Sequence, residues 1–189
     1  MSSESKLIGI FKDNDANIEK YTVLFTSKLF PNTGVRVVTN KNLSQTNFSV
    51  FDGFVYPGGG GNVTDRDSDY WSYVNKSMAT FKPVFGICLG FQHVVKHYFP
   101  TLKQTRCYLY NMVIDGQHHN HKWCIPKNRE NTLGELFDLG FYSYNGSSYI
   151  GTIKIEETGV FGIIFHPEKQ TVLTSIERKM LRAFYRSMS

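Results

Sequence analysis

A chain of 189 residues with 41% hydrophobic and 15% aromatic content can bury one full core but is short for two, so a single domain over residues 1–189 is expected. Its formal charge of +5 comes from 21 basic residues scattered among 16 acidic ones, with no basic block, which argues against nucleic acid as a partner. No apolar run approaches the roughly 18 to 20 residues that span a bilayer, and the N-terminus lacks the order of a secretory signal, so no membrane partner is expected.

Residues 7–11, Leu-Ile-Gly-Ile-Phe, read as a short apolar strand, followed by Asp13, Asn14 and Asp15 as turn and helix-cap chemistry. Ile18, Tyr21, Phe25 and Leu29 recur at helical spacing; Pro31, Asn32, Thr33 and Gly34 end that helix, and residues 35–38 form the next strand. A polar stretch leads to a third apolar strand at 53–56, which stops at Pro57 and four glycines, 58–61. Trp71, Val74 and Met78 share one face of a second helix, and residues 83–87 form a strand. Phe91, Val94, Val95 and Tyr98 mark a third helix directly behind Cys88.

Strands alternating with helices at this spacing imply a mostly parallel sheet with helices on both faces, an α/β fold whose ligands sit beyond the carboxyl ends of the strands. From residue 107 to 165 the pattern shifts to shorter apolar pieces at 108–114, 123–125, 149–155 and 160–165. Turn signals stand at Asp115-Gly116, Asn145-Gly146 and Thr158-Gly159, which reads as a small antiparallel extension. A last helix, opened by a capping box of Thr174 and Glu177, is expected to bury Ile176, Met180, Ala183 and Phe184.

The chemistry gathers in three places. Gly86-Ile87-Cys88-Leu89-Gly90 has the small-x-nucleophile-x-small form of a nucleophile elbow, and the helix from Leu89 would direct its N-terminal partial charge at the Cys88 sulfur. The glycine run offers unobstructed backbone N–H groups to an oxyanion, with the N–H of Leu89 as a second donor. His166-Pro167-Glu168 follows an apolar strand, so the imidazole emerges at a strand end where Glu168 can fix its tautomer. Each has a plain structural alternative: a buried small cysteine, a simple chain turn, a histidine that merely packs.

Together these segments resemble a known family. Residues 86–92, Gly-Ile-Cys-Leu-Gly-Phe-Gln, and Phe165-His166-Pro167-Glu168 look like the two signature segments of class I (triad) glutamine amidotransferases, and the strand and loop at 56–61 resembles that family's oxyanion strand. The resemblance implies a flavodoxin-like sheet and a cysteine-dependent glutaminase without a cofactor. Its catalytic residues would be Cys88, His166 and Glu168, its oxyanion hole the backbone of Gly59 and Leu89, and its substrate contacts Gln92 and Gly58. It further implies L-glutamine as substrate and a separate synthase polypeptide that accepts the ammonia, the alternative being a stand-alone γ-glutamyl hydrolase or peptidase of the same fold. Four glycines stand where many members have Gly-Gly-Pro-Gly, and the 78 positions from Cys88 to His166 are few for the family, implying a trimmed middle region.

Three cysteines, Cys88, Cys107 and Cys124, form no even set and no CxxC pair, so a reduced, cytoplasmic chain is expected. His118, His119, Asn120 and His121, followed by Cys124, invite a metal reading. Neighbouring strand residues face opposite ways, however, and no second ligand pair stands at a recognisable spacing, so the expectation is no metal and a solvated or partner-facing strand. Arg178, Arg182 and Arg186 read as a solvated basic stripe on the last helix.

Overall fold

The computed structural model describes residues 5–12, 17–61 and 63–188; the expected turn at Asp13, Asn14 and Asp15 lies outside them. Strands β1 (Lys6–Lys12), β2 (Thr33–Thr39), β3 (Gly53–Tyr56), β4 (Val84–Ile87) and β9 (Val160–Ile163) form a parallel sheet in the order β2-β1-β3-β4-β9. Every residue of β3, β4 and β9 is buried, as strands covered on both faces require. The helices beside the sheet are α1 (Ile18–Phe25), α2 (Asp69–Met78), α3 (Leu89–Tyr98) and α5 (Ser175–Ser187). This is the expected flavodoxin-like arrangement.

Strands β4 and β9 are both Val-Phe-Gly-Ile, and they pair residue for residue, so Gly86 faces Gly162 across the ladder. A Cβ on Gly86 would lie 2.6 Å from the carbonyl oxygen of Gly90, and one on Gly162 would lie 3.1 Å from the Phe91 ring. The paired glycines therefore let the first turn of α3 settle directly on the sheet.

The antiparallel extension comprises β5 (Thr105–Ile114), β6 (Gln117–Pro126), β7 (Asp138–Tyr144) and β8 (Ser147–Ile155), with the short helix α4 (Glu130–Gly134) between β6 and β7. One edge of β8 carries β7; the other is shared by β9, at residues 152–155, and β6, at residues 149–150. Positive φ at Asp115 and Gly116, and at Asn145 and Gly146, makes two of the three expected turns, and Gly159, also at positive φ, makes the third between the antiparallel strands β8 and β9. Bulges interrupt β5 between Arg106 and Leu109 and between Leu109 and Met112, each with a left-handed residue, Tyr108 and Asn111. The β5–β6 hairpin reaches toward the carboxyl ends of the parallel strands, where the backbone N–H of His166 donates to the carbonyl of His118 at 2.8 Å.

Several expectations need correction. Helix α1 stops at Phe25, short of Leu29, because Thr22 and Thr26 turn their hydroxyls back onto carbonyls four residues earlier, which weakens the helix. Helix α5 has its capping box, but its buried face is Glu177, Met180, Leu181 and Phe184; Ile176 and Ala183 sit at the margin. Arg182 and Arg186 are exposed, as expected of a solvated stripe, while Arg178 is half-buried and folds onto the Leu173 carbonyl. Cys107 and Cys124 form a disulfide with a Cα–Cα separation of 5.9 Å, against the expectation that all three cysteines are free; Cys88 alone is unpaired. Cys107 lies within the first bulge of β5, two residues after Thr105, the pairing partner of Cys124. His119 and His121 are buried rather than solvated, because the inward face of β6 packs on Phe165 and Tyr142. Among the described residues, no helix is long and apolar enough to cross a membrane.

Candidate active site

Cys88 stands between β4 and α3 with φ +53° and ψ −104°, a left-handed conformation rarely adopted by a residue bearing a side chain. It is held there by the backbone: its N–H donates to Ile163 O at 2.9 Å, and its carbonyl accepts the first bond of α3 from Gln92 N at 3.2 Å. A side chain at Gly90 could not be accommodated, since a Cβ would lie 1.9 Å from Tyr56 O. The sharp turn predicted from the glycine spacing is thus enforced by contact between three backbone segments. It throws the thiol out of the sheet toward the cavity.

His166 leaves the end of β9, and Pro167 starts a single 3-10 turn, Pro167–Lys169, that curls Glu168 back to the ring. His166 Nδ1 donates to Glu168 Oε1 at 2.6 Å, both side chains being buried. The opposite nitrogen, Nε2, faces the Cys88 sulfur and the carbonyl of Asn120, 3.4 Å away. Burial by itself would lower the imidazole pKa. The negative charge of the Cys88 sulfur, its hydrogen bond to the ring and the bond to Glu168 outweigh that and raise it to about 10. The geometry is that of an imidazolium clasped between a sulfur and a carboxylate.

Gly58 closes the other side. A Cβ there would stand 2.9 Å from His166 Cε1 and 3.3 Å from Cys88 Cβ, so only glycine lets the loop approach both groups. Its N–H donates to the Tyr21 hydroxyl at 2.9 Å. Burial raises the Tyr21 pKa well above its ordinary value, and the charges of Glu168 and Cys88 raise it further, so this phenol stays protonated. Tyr70 supports the loop from below, its hydroxyl donating to Pro57 O at 2.6 Å.

Cys88, His166, Glu168, Gly58, Gly59, Leu89 and Gln92 all line one cavity of about 840 Å³, so the structure brings together the residues expected to form the triad, the oxyanion hole and the substrate contacts. It also adds residues that the sequence did not reveal. Tyr21 joins through α1, and Asn120 sits over the thiol, its carbonyl 3.7 Å from Cys88 Sγ. Arg106, Tyr108 and Trp123 form the outer wall, with the Arg106 guanidinium 5.2 Å from the Trp123 ring centre. Lys20, Arg106, Lys122 and Lys169 give the wall a cationic character against the one carboxylate of Glu168. The helical spacing of Tyr21 was a signal for burial only; nothing in the sequence marked Asn120 apart from its neighbours.

His121 also lines the cavity, with His119 next to it; burial lowers the His119 pKa to about 4 and the His121 pKa to about 3, with neighbouring histidines lowering both further, so both rings are neutral near pH 7. Cys107 and Cys124 lie beside His121, the ligand atoms of the three residues all within 4.8 Å of one another.

No curated protein sequence matches the chain significantly. Among solved structures, a proposed GMP synthase subunit from Thermoplasma acidophilum is similar with a TM-score of 0.66 at 18% identity, covering 98% of this chain and 95% of that one. PurLQS from Thermotoga maritima gives 0.51 at 16% identity, with 98% of each chain covered. A glutamine amidotransferase from Thermotoga maritima gives 0.50 at 14%, with 98% of this chain and 97% of that one covered. These likenesses establish the fold, and the model of the family "Glutamine amidotransferase class-I" matches residues 17–188. The chain belongs to the class-I glutamine amidotransferases.

Proposed function

We propose that the chain is a glutaminase that hydrolyses L-glutamine to glutamate and ammonia through a cysteine thioester and delivers the ammonia to a separate synthase polypeptide. The observation that carries this reading is the pairing of a strained, cavity-facing Cys88 with the His166–Glu168 dyad. The similarity to a protein described as a proposed GMP synthase subunit supports the second half of it.

In this mechanism the Cys88 sulfur attacks the carboxamide carbon of glutamine, and the electron pair of the C=O moves onto oxygen. The oxyanion takes hydrogen bonds from Gly59 N–H and from Leu89 N–H, the latter a first-turn donor that its own helix cannot satisfy. Gly58 N–H is already committed to Tyr21, so it shapes the loop instead of stabilising charge. His166 Nε2 gives its proton to the departing nitrogen, which leaves as ammonia. The now neutral ring takes a proton from water as that water attacks the thioester, releasing glutamate and restoring the sulfur. Glu168 keeps the second ring proton on Nδ1 throughout. Gln92 on the first turns of α3 and the cationic wall suit the amino-acid end of glutamine, whose α-carboxylate seeks positive charge.

The test is to treat the protein with a γ-glutamyl electrophile at neutral pH, map the adduct by mass, and measure glutamine hydrolysis with and without the copurifying partner. An adduct on Cys88 and ammonia release that the partner accelerates are expected. Fast turnover of γ-glutamyl peptides by the chain alone, with no response to a partner, would move the assignment to a stand-alone γ-glutamyl hydrolase.

A further inference from the structure

At the edge of the catalytic cavity, which His121 helps to line, His121 Nδ1 lies 3.6 Å from Cys107 Sγ and 3.8 Å from Cys124 Sγ. These three ligand atoms come from β5 and β6 and form a cluster within 4.8 Å, two of the three residues being buried. We infer that Cys107, Cys124 and His121 form a metal site for a thiolate-preferring divalent cation of the zinc class, available when the Cys107–Cys124 disulfide is reduced.

The distances favour this reading. With Zn–S bonds of about 2.3 Å and Zn–N bonds of about 2.1 Å, a tetrahedral ion separates its nitrogen and sulfur ligands by about 3.6 Å. Both nitrogen–sulfur edges are already at that length. Only the sulfur–sulfur edge must open, from a covalent bond to about 3.8 Å, and that is the consequence of reduction itself.

The surroundings are also those of a metal site. Tyr142 donates its hydroxyl to Cys124 Sγ at 3.2 Å, a bond that gains strength when the sulfur carries charge. His121 Nε2 lies 3.0 Å from His119 Nδ1, so the face of the ring turned away from the sulfurs is already fixed by an outer partner. In the disulfide form, Nδ1 donates to the Trp123 carbonyl at 3.1 Å. In that form His119 Nδ1 donates to His121 Nε2; on metal binding both rings exchange tautomers, the His119 proton passing to its own Nε2 and the His121 proton to Nε2, so that His119 Nδ1 accepts and His121 Nδ1 turns its lone pair to the ion. The fourth coordination position is left to solvent or to the Trp123 carbonyl.

The site shares His121 with the lining of the catalytic cavity, while both of its sulfurs stand outside that lining. His121 shares β6 with Asn120, whose carbonyl touches both Cys88 and His166. Cys88 itself is not among the clustered ligands.

The experiment reduces the purified chain with a water-soluble phosphine under argon. The disulfide takes two electrons and two protons, and the phosphine leaves as its oxide with oxygen from water. After the phosphine is removed, the chain is titrated with cobalt(II) and then zinc(II). Expected are one equivalent of cobalt per chain, a sulfur-to-cobalt charge-transfer band with tetrahedral visible bands, and their loss as zinc displaces it. The unreduced protein, identical in sequence, should bind none. The Cys88→Ala variant should bind the full equivalent, Cys107→Ser should lose it, and His119→Phe should bind about 10- to 100-fold more weakly. Equal binding by oxidised and reduced protein, no band in the reduced protein, or a band that vanishes in Cys88→Ala would each overturn the assignment.

Discussion

Replacing Gly58 by alanine tests the active-site geometry most directly. The added methyl would stand 2.9 Å from His166 Cε1, 3.0 Å from the Tyr21 hydroxyl and 3.3 Å from Cys88 Cβ. Comfortable carbon–carbon contact begins at about 3.5 Å, so the imidazole or the loop must retreat by about 0.6 Å. A misplacement of about 1 Å costs a catalytic constellation on the order of 100-fold, so roughly a tenfold fall in kcat/KM is expected, about 1.4 kcal/mol of transition-state stabilisation. Gly58 does not have positive φ, so the effect is steric and not a backbone strain. The assay is kcat/KM for glutamine hydrolysis with the partner present, and thermal unfolding verifies that the variant is folded. Gly34→Ala is the control, because its nearest neighbour, Leu7 Cδ1, is 3.5 Å away and in ordinary contact. A folded Gly58→Ala variant with wild-type kcat/KM, or an equal loss in Gly34→Ala, would refute the placement of Gly58 against the His166–Cys88 pair.

Three other outcomes are expected. Because burial lowers the His166 pKa and only the combined pull of Cys88 and Glu168 raises it to about 10, the imidazole should remain protonated on raising the pH until about 10; in Cys88→Ala its NMR titration midpoint should fall, and an unchanged midpoint would contradict the ion-pair description. His166→Ala should lose about 100- to 10,000-fold in turnover, the range for general acid–base groups, whereas Glu168→Gln should keep more activity; equal losses would mean that the carboxylate does more than orient the ring. Tyr21→Phe leaves the buried Gly58 N–H without its acceptor, so denaturant unfolding should show a loss of about 1–3 kcal/mol, and unchanged stability would remove Tyr21 from the support of the loop.

Whatever depends on short spacing is legible in the sequence. The elbow at Gly86, Cys88 and Gly90 and the His166-Pro167-Glu168 turn are local geometries, written in consecutive residues, and the apolar strands of the parallel sheet announce themselves because both faces are buried. Strand β7 escapes sequence reading for the opposite reason: only Tyr142 within it is buried, so no alternation betrays it. The Cys107–Cys124 pairing rests on the register of β5 against β6, with Thr105 opposite Cys124, and register between strands is not written in the cysteine spacing. The inward aim of His119 and His121 follows from β6 joining β8 by only two residue pairs and reaching toward the sheet ends, a long-range arrangement that strand alternation cannot express. Tyr21 and Asn120 carry no mark in the sequence for the same cause: each acquires its role from segments far away in the chain.

The contacts that fix Cys88 run between main-chain atoms, Gly90 against Tyr56 O and Gly86 against Gly90 O, with the identical strands β4 and β9 meeting glycine to glycine beneath them. Main-chain atoms are common to all residues, so this alignment is insensitive to which apolar side chains fill the surrounding core. Sequence drift can therefore exchange most of the interior while the nucleophile keeps its address. A designer wishing to restock the core of this chain has more latitude at the apolar positions of α5, Met180, Leu181 and Phe184, than at the glycines of the elbow.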